Sequence, residues 1–309
     1  MAHPFFYCSQ LSSGAAEQTF GTASVGDLWL LVEYPHRWGP KAFHDSTLSA
    51  EVKSHLNGIL KTIPRARLLL IKQKPSHQQY FTFFIVRCCE GDPTITEFKL
   101  NSYEQLLDIN VASYGAGNTV PGGSAWKKPL YLVCTHGRRD KCCAKFGYPI
   151  YRSLKESADG SVWQSSHVGG DRFAANLICF PHGLFYGHVT EETCPGIVSE
   201  YEARRLVLDG YRGRACYSHP AQAAEFYIRR ESGITAIGEL RYLDSERWEE
   251  KAWRVKFVSQ TDGRVHEAQV TARLSEFQNY VTCHSTEEKR VIEYMLNEYR
   301  VTDSDHLHR

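Results

Sequence analysis

What the chain lacks narrows it first. No apolar run reaches the ~18 residues that a membrane span requires, and Met1 to Ser13 has neither the basic start nor the long apolar stretch of a secretory signal. The charges nearly cancel. With 36 basic and 35 acidic residues the net charge is +1, so no electrostatic surplus points to nucleic acid or an anionic membrane. No C-x-x-C motif occurs anywhere in the chain. A soluble, cytoplasmic protein is the expectation, with no nucleic-acid or membrane partner.

What is present is ordinary in bulk and unusual in detail. The 309 residues, 42% hydrophobic and 23% charged, suffice for one large domain or two ordinary ones. Ten cysteines in a chain expected in a reducing compartment point to metal or redox chemistry more than to structural disulfides. Two adjacent pairs, Cys88–Cys89 and Cys142–Cys143, make a poor disulfide framework. Neighbours on a strand face opposite ways, so one member of each pair can be core.

The apolar patterning divides the chain in three. In the first part, DLWLLVE (Asp27 to Glu33) predicts a buried strand, Thr47 to Leu60 has helical spacing, and Arg67 to Lys72 and Tyr80 to Arg87 read as strands. Tyr114 to Ser124, rich in glycine and proline, reads as a boundary loop. The order then restarts: a strand at Pro129 to Cys134, a helix near Ala144 to Lys155, a strand at Leu184 to Val189 and a helix at Cys194 to Gly210. The shared strand–loop–helix–strand–strand plan predicts a degenerate internal repeat. Beyond Ala221 the reading is a helix to Arg230, a hairpin around Thr261–Asp262–Gly263, and a helix at Ser285 to Tyr299 with Glu288 completing a capping-box pattern. The predicted units are residues 1–120, 125–230 and 231–309, the last a hairpin-and-helix extension. The tail with His306 and His308 reads as frayed.

Chemistry concentrates between Cys134 and Asp171. Cys134 closes a strand and opens CTHGRRDKCC; Cys143 follows nine positions on, across a loop rich in Arg and Gly. SSHVGGDRFAAN then places His167 and Asp171 four positions apart. Thiolates with imidazole suit zinc or an iron–sulfur cluster. The Gly169–Gly170 pair lets backbone approach a ligand closely. Arg138, Arg139 and Lys141 stabilise thiolates and offset a negative centre. Read plainly, Cys142 is a packing residue, and Arg139 with Asp140 is an ion pair shaping the loop. Asp171 serves equally as an N-cap, a partner of Arg172 or a ligand.

These segments, with PHGLFYG, the earlier WLLVEYP…WGPKAF and the later YRGRACYSHPAQAAE, resemble the sucrase/ferredoxin-like family over most of Phe5 to Arg230. The resemblance implies an α/β (α+β) fold. A thioredoxin-like ferredoxin domain would follow a related, degenerate thioredoxin-like half and precede a small C-terminal α/β extension. It implies a [2Fe–2S] cluster held, in members with the full motif, by two cysteines nine positions apart and two histidines of an H-x-G-G-H segment. Carried onto this chain, those positions are Cys134, Cys143, His167 and Asp171, the last a departure from histidine. If Asp171 does not ligate, Cys142, His136, His182 or Cys179 would complete the site, or no cluster forms. No pair of carboxylates is spaced for sugar hydrolysis.

The implied role is a one-electron carrier or redox sensor working with a reductase or acceptor protein, more an electron carrier than an enzyme with its own substrate. Two other readings stay open. One is a thiol-based thioredoxin-like redox protein using Cys134 or Cys142/Cys143. The other is a zinc-binding structural module.

Overall fold

The protein is described from a computed structural model, covering residues 6–73, 79–112, 121–157 and 160–303. A short helix α1 (Cys8–Gly14) precedes β1 (Leu28–Glu33), α2 (Ala50–Thr62), β2 (Ala66–Lys72), β3 (Phe81–Arg87), β4 (Thr94–Leu100) and the two-residue β5 (Ser124–Ala125). The second series is β6 (Leu130–Cys134), α3 (Lys141–Ser157), β7 (Val162–Ser165), β8 (Leu177–Phe180), β9 (Leu184–Tyr186), α4 (Cys194–Glu202) and β10 (Tyr211–Arg214). Then come α5 (His219–Ser232) and four strands, β11 (Leu240–Glu249), β12 (Ala252–Ser259), β13 (Val265–Leu274) and β14 (Ile292–Thr302).

The expected repeat is visible in the topology. β1 pairs parallel with β2 and antiparallel with β3; β6 pairs parallel with β7 and antiparallel with β8. Each half therefore orders its first four strands 2-1-3-4, the thioredoxin-like plan. The halves are not separate layers, however. β2 and β7 pair antiparallel, joining both into one ten-stranded sheet of order β10-β9-β8-β6-β7-β2-β1-β3-β4-β5. Ser166, just past β7, fastens the seam: its N–H donates to the Leu70 carbonyl at 2.8 Å, and its Oγ accepts from the Leu70 N–H at 3.0 Å.

The central strands carry continuous apolar runs, such as Leu28–Val32, Leu68–Ile71 and Leu130–Val133, because both faces are covered. Alternate residues separate the two faces. On one, Leu30, Val32, Leu70 and Phe83 pack with α2 through Val52 and Leu56, while Tyr131, Val133 and Leu177 pack with α3 and α4 through Ile150, Tyr151 and Ile197. On the other, side chains from both halves meet in one shared core: Trp29, Leu31 and Phe84 with Leu132, Trp163, Ile178 and Phe185. The Trp29 ring lies 5.6 Å from Phe180 and 5.8 Å from Phe185. Cys134 and Cys143 sit at the rim of this shared core.

Several local expectations are corrected. α2 starts at Ala50 rather than Thr47, with Ser49 as its N-cap accepting from the Val52 N–H. The helix from Cys194 stops at Glu202 instead of Gly210. The predicted helix at Ser285 to Tyr299 is absent. Ser285 instead bonds within a turn, its Oγ accepting from the Thr282 N–H, and Ile292–Thr302 pairs with the open edge of β13. Pairing across that ten-residue edge overrides a local helical signal. The C-terminal extension is thus a four-stranded antiparallel sheet packed on α5, not a hairpin and helix. Most of the boundary loop and the histidine-bearing tail lie outside the described residues.

A shared core predicts shared stability. Trp29→Ala should lower the unfolding free energy by about 3–5 kcal/mol while urea unfolding stays a single transition by both tryptophan fluorescence and circular dichroism. Two separated transitions would show instead that the halves unfold independently.

Candidate metal centre

β6 ends at Cys134 and the chain crosses a tight loop into α3. Asp140 shapes that entry: its Oδ1 accepts from the Cys142 N–H at 2.8 Å and its Oδ2 from the Cys283 N–H at 2.7 Å. The carboxylate thus serves two amides rather than the Arg139 ion pair expected. Arg138 and Arg139 are exposed on the loop surface. α3 lies hard against the end of β6, because Gly147 has no side chain there. A Cβ at Gly147 would fall 2.1 Å from the Cys134 carbonyl oxygen. That approach carries Cys143, in the first turn of α3, to Cys134.

The other donors come from the loop after β7. Gly169 and Gly170 both adopt the left-handed region, at φ 88° and 77°. A Cβ at Gly170 would meet the Arg212 guanidinium at 2.5 Å. This turn brings His167 and Asp171 to the two cysteines. The ligand atoms of Cys134, Cys143 and His167 lie within 4.8 Å of one another. Asp171 Oδ1 is 3.5 Å from Cys143 Sγ and 3.0 Å from His167 Nδ1. Cys134 and Cys143 are each 1% exposed and Asp171 6%, whereas the His167 side chain keeps 23% of its surface in solvent. The set is therefore buried, with the imidazole as its outward face.

The alternatives to Asp171 are engaged elsewhere. His136 uses both ring nitrogens: Nε2 lies 2.8 Å from the Gly39 carbonyl, and Nδ1 accepts from the His167 N–H at 3.2 Å. His182 Nδ1 is 2.7 Å from the Tyr201 hydroxyl, and burial pushes its pKa down to about 3. Cys179 is buried on the opposite face of the sheet, among Tyr131, Leu184 and Tyr186. Cys142 points away from Cys143, toward Cys8 and Cys283. Asp171 itself does not cap a helix. It opens a one-turn 3-10 segment whose N-cap is Gly170 without a side-chain cap bond. Arg172, its other expected partner, pairs with Glu17.

The electrostatics suit a positively charged guest. The Cys143 thiol beside it holds the Cys134 pKa well below its usual range against the opposing effect of burial, and His167 adds to the lowering. Cys143, facing that thiolate and itself buried, is pushed up. Burial pulls His167 down, but Asp171 and Cys134 outweigh it and lift the imidazole to about 9. His167 Nδ1, although 3.0 Å from the Asp171 oxygen, is not aligned for a hydrogen bond and is left buried without a hydrogen-bond partner. A buried imidazole nitrogen whose one close partner is a carboxylate, next to two thiols, is the donor chemistry of a soft or borderline metal. Two thiol sulfurs approach from β6 and α3, and the imidazole and carboxylate from one loop, so the four donors divide into two pairs. That division fits a centre of two irons as well as a single ion.

Fold and donor set define a thioredoxin-like α/β protein with a candidate Cys/Cys/His/Asp metal centre. Residues 19–213 match the sucrase/ferredoxin-like family, and the chain belongs to that family. Among curated relatives, "Altered inheritance of mitochondria protein 32" of Debaryomyces hansenii is 38% identical over 98 residues, and its counterpart in Meyerozyma guilliermondii 33% over 95 residues. These alignments cover 28% and 27% of this chain and 36% and 34% of those proteins, so the chain spans about a third of the curated relatives it matches. A solved Cys55Ser variant of the thioredoxin-like [2Fe–2S] ferredoxin from Aquifex aeolicus aligns over 24% of this chain and 87% of its own, at 15% identity and a TM-score of 0.23.

The Gly147 contact makes a sharp prediction. Gly147→Ala should cost about 1–3 kcal/mol by overpacking, read as a lowered urea midpoint. Gly58→Ala, in the open middle of α2 with nothing within 4 Å of the new Cβ, should instead stabilise by about 0.5–1 kcal/mol. Equal effects of the two substitutions would contradict the close approach of α3 to β6.

Proposed function

We propose that the protein binds one [2Fe–2S] cluster through Cys134, Cys143, His167 and Asp171 and serves in one-electron transfer or redox sensing. The observation that carries this reading is the buried convergence of two thiols, an otherwise unpartnered imidazole nitrogen and a carboxylate from two loops of one thioredoxin-like half. Membership of the sucrase/ferredoxin-like family supports it.

When bound, the cluster supplies reversible one-electron chemistry. The chain's own residues hold and tune it. Cys134 and Cys143 are shielded by the shared core, which excludes water from the sulfurs. His167 faces outward, on the side from which a partner reaches the site. Arg138 and Arg139 on the adjoining loop, and Arg37 and Lys72 across a cleft of about 390 Å³, make that side basic and suited to an acidic reductase or acceptor. No general base is needed, because no substrate is turned over. The ten free cysteines suit a reducing, cytoplasm-like compartment, and no helix among the described residues is long and apolar enough to cross a membrane.

The thiol reading has one observation in its favour: the lowered Cys134 beside His167 and Asp171 is the arrangement of an activated nucleophile. The burial of Cys134, at 1% exposure, denies a substrate access to it. A zinc module remains the other outcome of the test.

Protein prepared without oxygen should contain two irons and two acid-labile sulfides per chain and be red-brown. Cys134→Ser should abolish the colour. Asp171→His should retain the cluster and raise its reduction potential, because an imidazole ligand is neutral where a carboxylate is not. Colourless, folded protein without iron would overturn the reading. Zinc at this site would then favour the structural module, and a metal-free reactive thiol the redox enzyme.

A further inference from the structure

Three thiols from distant parts of the chain meet on the other side of the first turn of α3. Cys8 opens α1, Cys142 is the second residue of α3, and Cys283 lies in the connection between β13 and β14. Their sulfurs form a near-equilateral triangle. Cys8 to Cys142 is 3.6 Å, Cys142 to Cys283 is 3.2 Å and Cys283 to Cys8 is 3.6 Å. Asp140 Oδ2 stands 3.8 Å from Cys8 Sγ, and the four ligand atoms lie within 4.8 Å of one another. Cys8, Cys142 and Asp140 are fully buried.

A tetrahedral ion with thiolate bonds of ~2.3 Å has sulfur–sulfur edges of roughly 3.8 Å. All three edges of this triangle approach that size together. A disulfide would draw two sulfurs to about 2.0 Å and leave the third sulfur unused. Three thiols and one carboxylate also exclude calcium and magnesium, which take oxygen ligands. We propose that Cys8, Cys142, Cys283 and Asp140 form a mononuclear zinc site of structural role. Four protein ligands leave no open position for substrate, as in structural rather than catalytic zinc sites. On binding, the thiol protons pass to solvent and the thiolates ligate the ion.

The surroundings suit bound thiolates. The Cys8 N–H lies 3.5 Å from Cys283 Sγ, and the first turn of the 17-residue helix α3 places Cys142 at its positive end. The Lys141 ammonium sits over the rings of Phe6 and Tyr7, which flank the site. The Phe6 ring in turn stacks on Tyr280 at 4.5 Å, so the same two chain regions that bring Cys8 and Cys283 also pack around them. The zinc would pin both regions to the helix turn that carries Cys143, and so hold that ligand of the first centre in place.

The test measures zinc and iron per chain on wild-type protein, Cys134→Ser and Cys8→Ser/Cys283→Ser. The expected result is one zinc equivalent present in wild type and Cys134→Ser and missing from the double variant. Zinc absent from the wild type, or zinc that disappears with Cys134 and survives in the double variant, would overturn the proposal. Should the double variant fail to fold, cobalt(II) added to chelator-treated Cys134→Ser protein decides. Intense sulfur-to-cobalt absorption at one equivalent supports a three-thiolate site, and its lack refutes it. Iron content reports separately on the first centre, so either site can fail without obscuring the other.

Discussion

Both candidate sites depend on how closely α3 approaches the end of β6. Gly147 sets that distance, since any side chain there would collide with the Cys134 carbonyl. Once α3 is seated, its first turn presents Cys142 and Cys143 about 100° apart around the helix axis. Cys143 faces Cys134, His167 and Asp171, and Cys142 faces Cys8 and Cys283. Asp140, one position before the helix, fixes the turn by accepting the Cys142 amide and reaches across to the Cys283 amide. A dipeptide of cysteines is thus the hinge between two donor sets, and small displacements of the helix would disturb both at once.

The candidate centre at Cys134 draws its donors from the second half, yet the first half supports it. The two halves have matching strand orders and meet across a common apolar core, so each is the other's cover. The first half has no cysteine between β1 and α2; its loop there packs Trp38 against His136 and lends the Gly39 carbonyl to that ring. This contact holds the His136 side chain where its Nδ1 can accept the His167 amide. The first half therefore acts on the site indirectly, by orienting the loop residue that orients a ligand.

The parts legible in the sequence were those with short-range signals. Continuous apolar runs marked the central strands, and the spacing of Cys134, Cys143, His167 and Asp171 fell on one family motif. Cys134, Cys143 and His167 converge, Asp171 lies beside Cys143 and His167, and His136, His182 and Cys179 are engaged elsewhere. What was missed depends on long-range contact. Cys8 and Cys283 each stand alone in sequence, 134 and 141 positions from Cys142, with no spacing that links them. Cys142 is buried as a packing residue should be, against Cys8 and Ala174, and nothing local shows that its neighbours are two further thiols. The segment from Ser285 carries a capping-box pattern with enough local merit to predict a helix, and only the open edge of β13, formed elsewhere in the chain, decides against it.

Charge is the remaining constraint. Two unit charges about 4 Å apart interact by roughly 4 kcal/mol at the effective dielectric of ~20 that suits protein sites, so several buried thiolates and a carboxylate cannot all ionise side by side without a cation among them. The raised Cys143 against the lowered Cys134 is that restriction at work. Near the first centre the fixed counter-charge is Arg212, 1% exposed, whose hydrogen bonds go to the neutral oxygens of Gly169, Asn176 and Thr22. Burial and the neighbouring Arg172 pull its pKa down to about 9, while Asp171 and Cys134 pull the other way. Arg212, without a carboxylate hydrogen-bond partner and packed just behind the Gly169–Gly170 turn, is thus the positive charge set against Asp171 and Cys134 at the candidate centre.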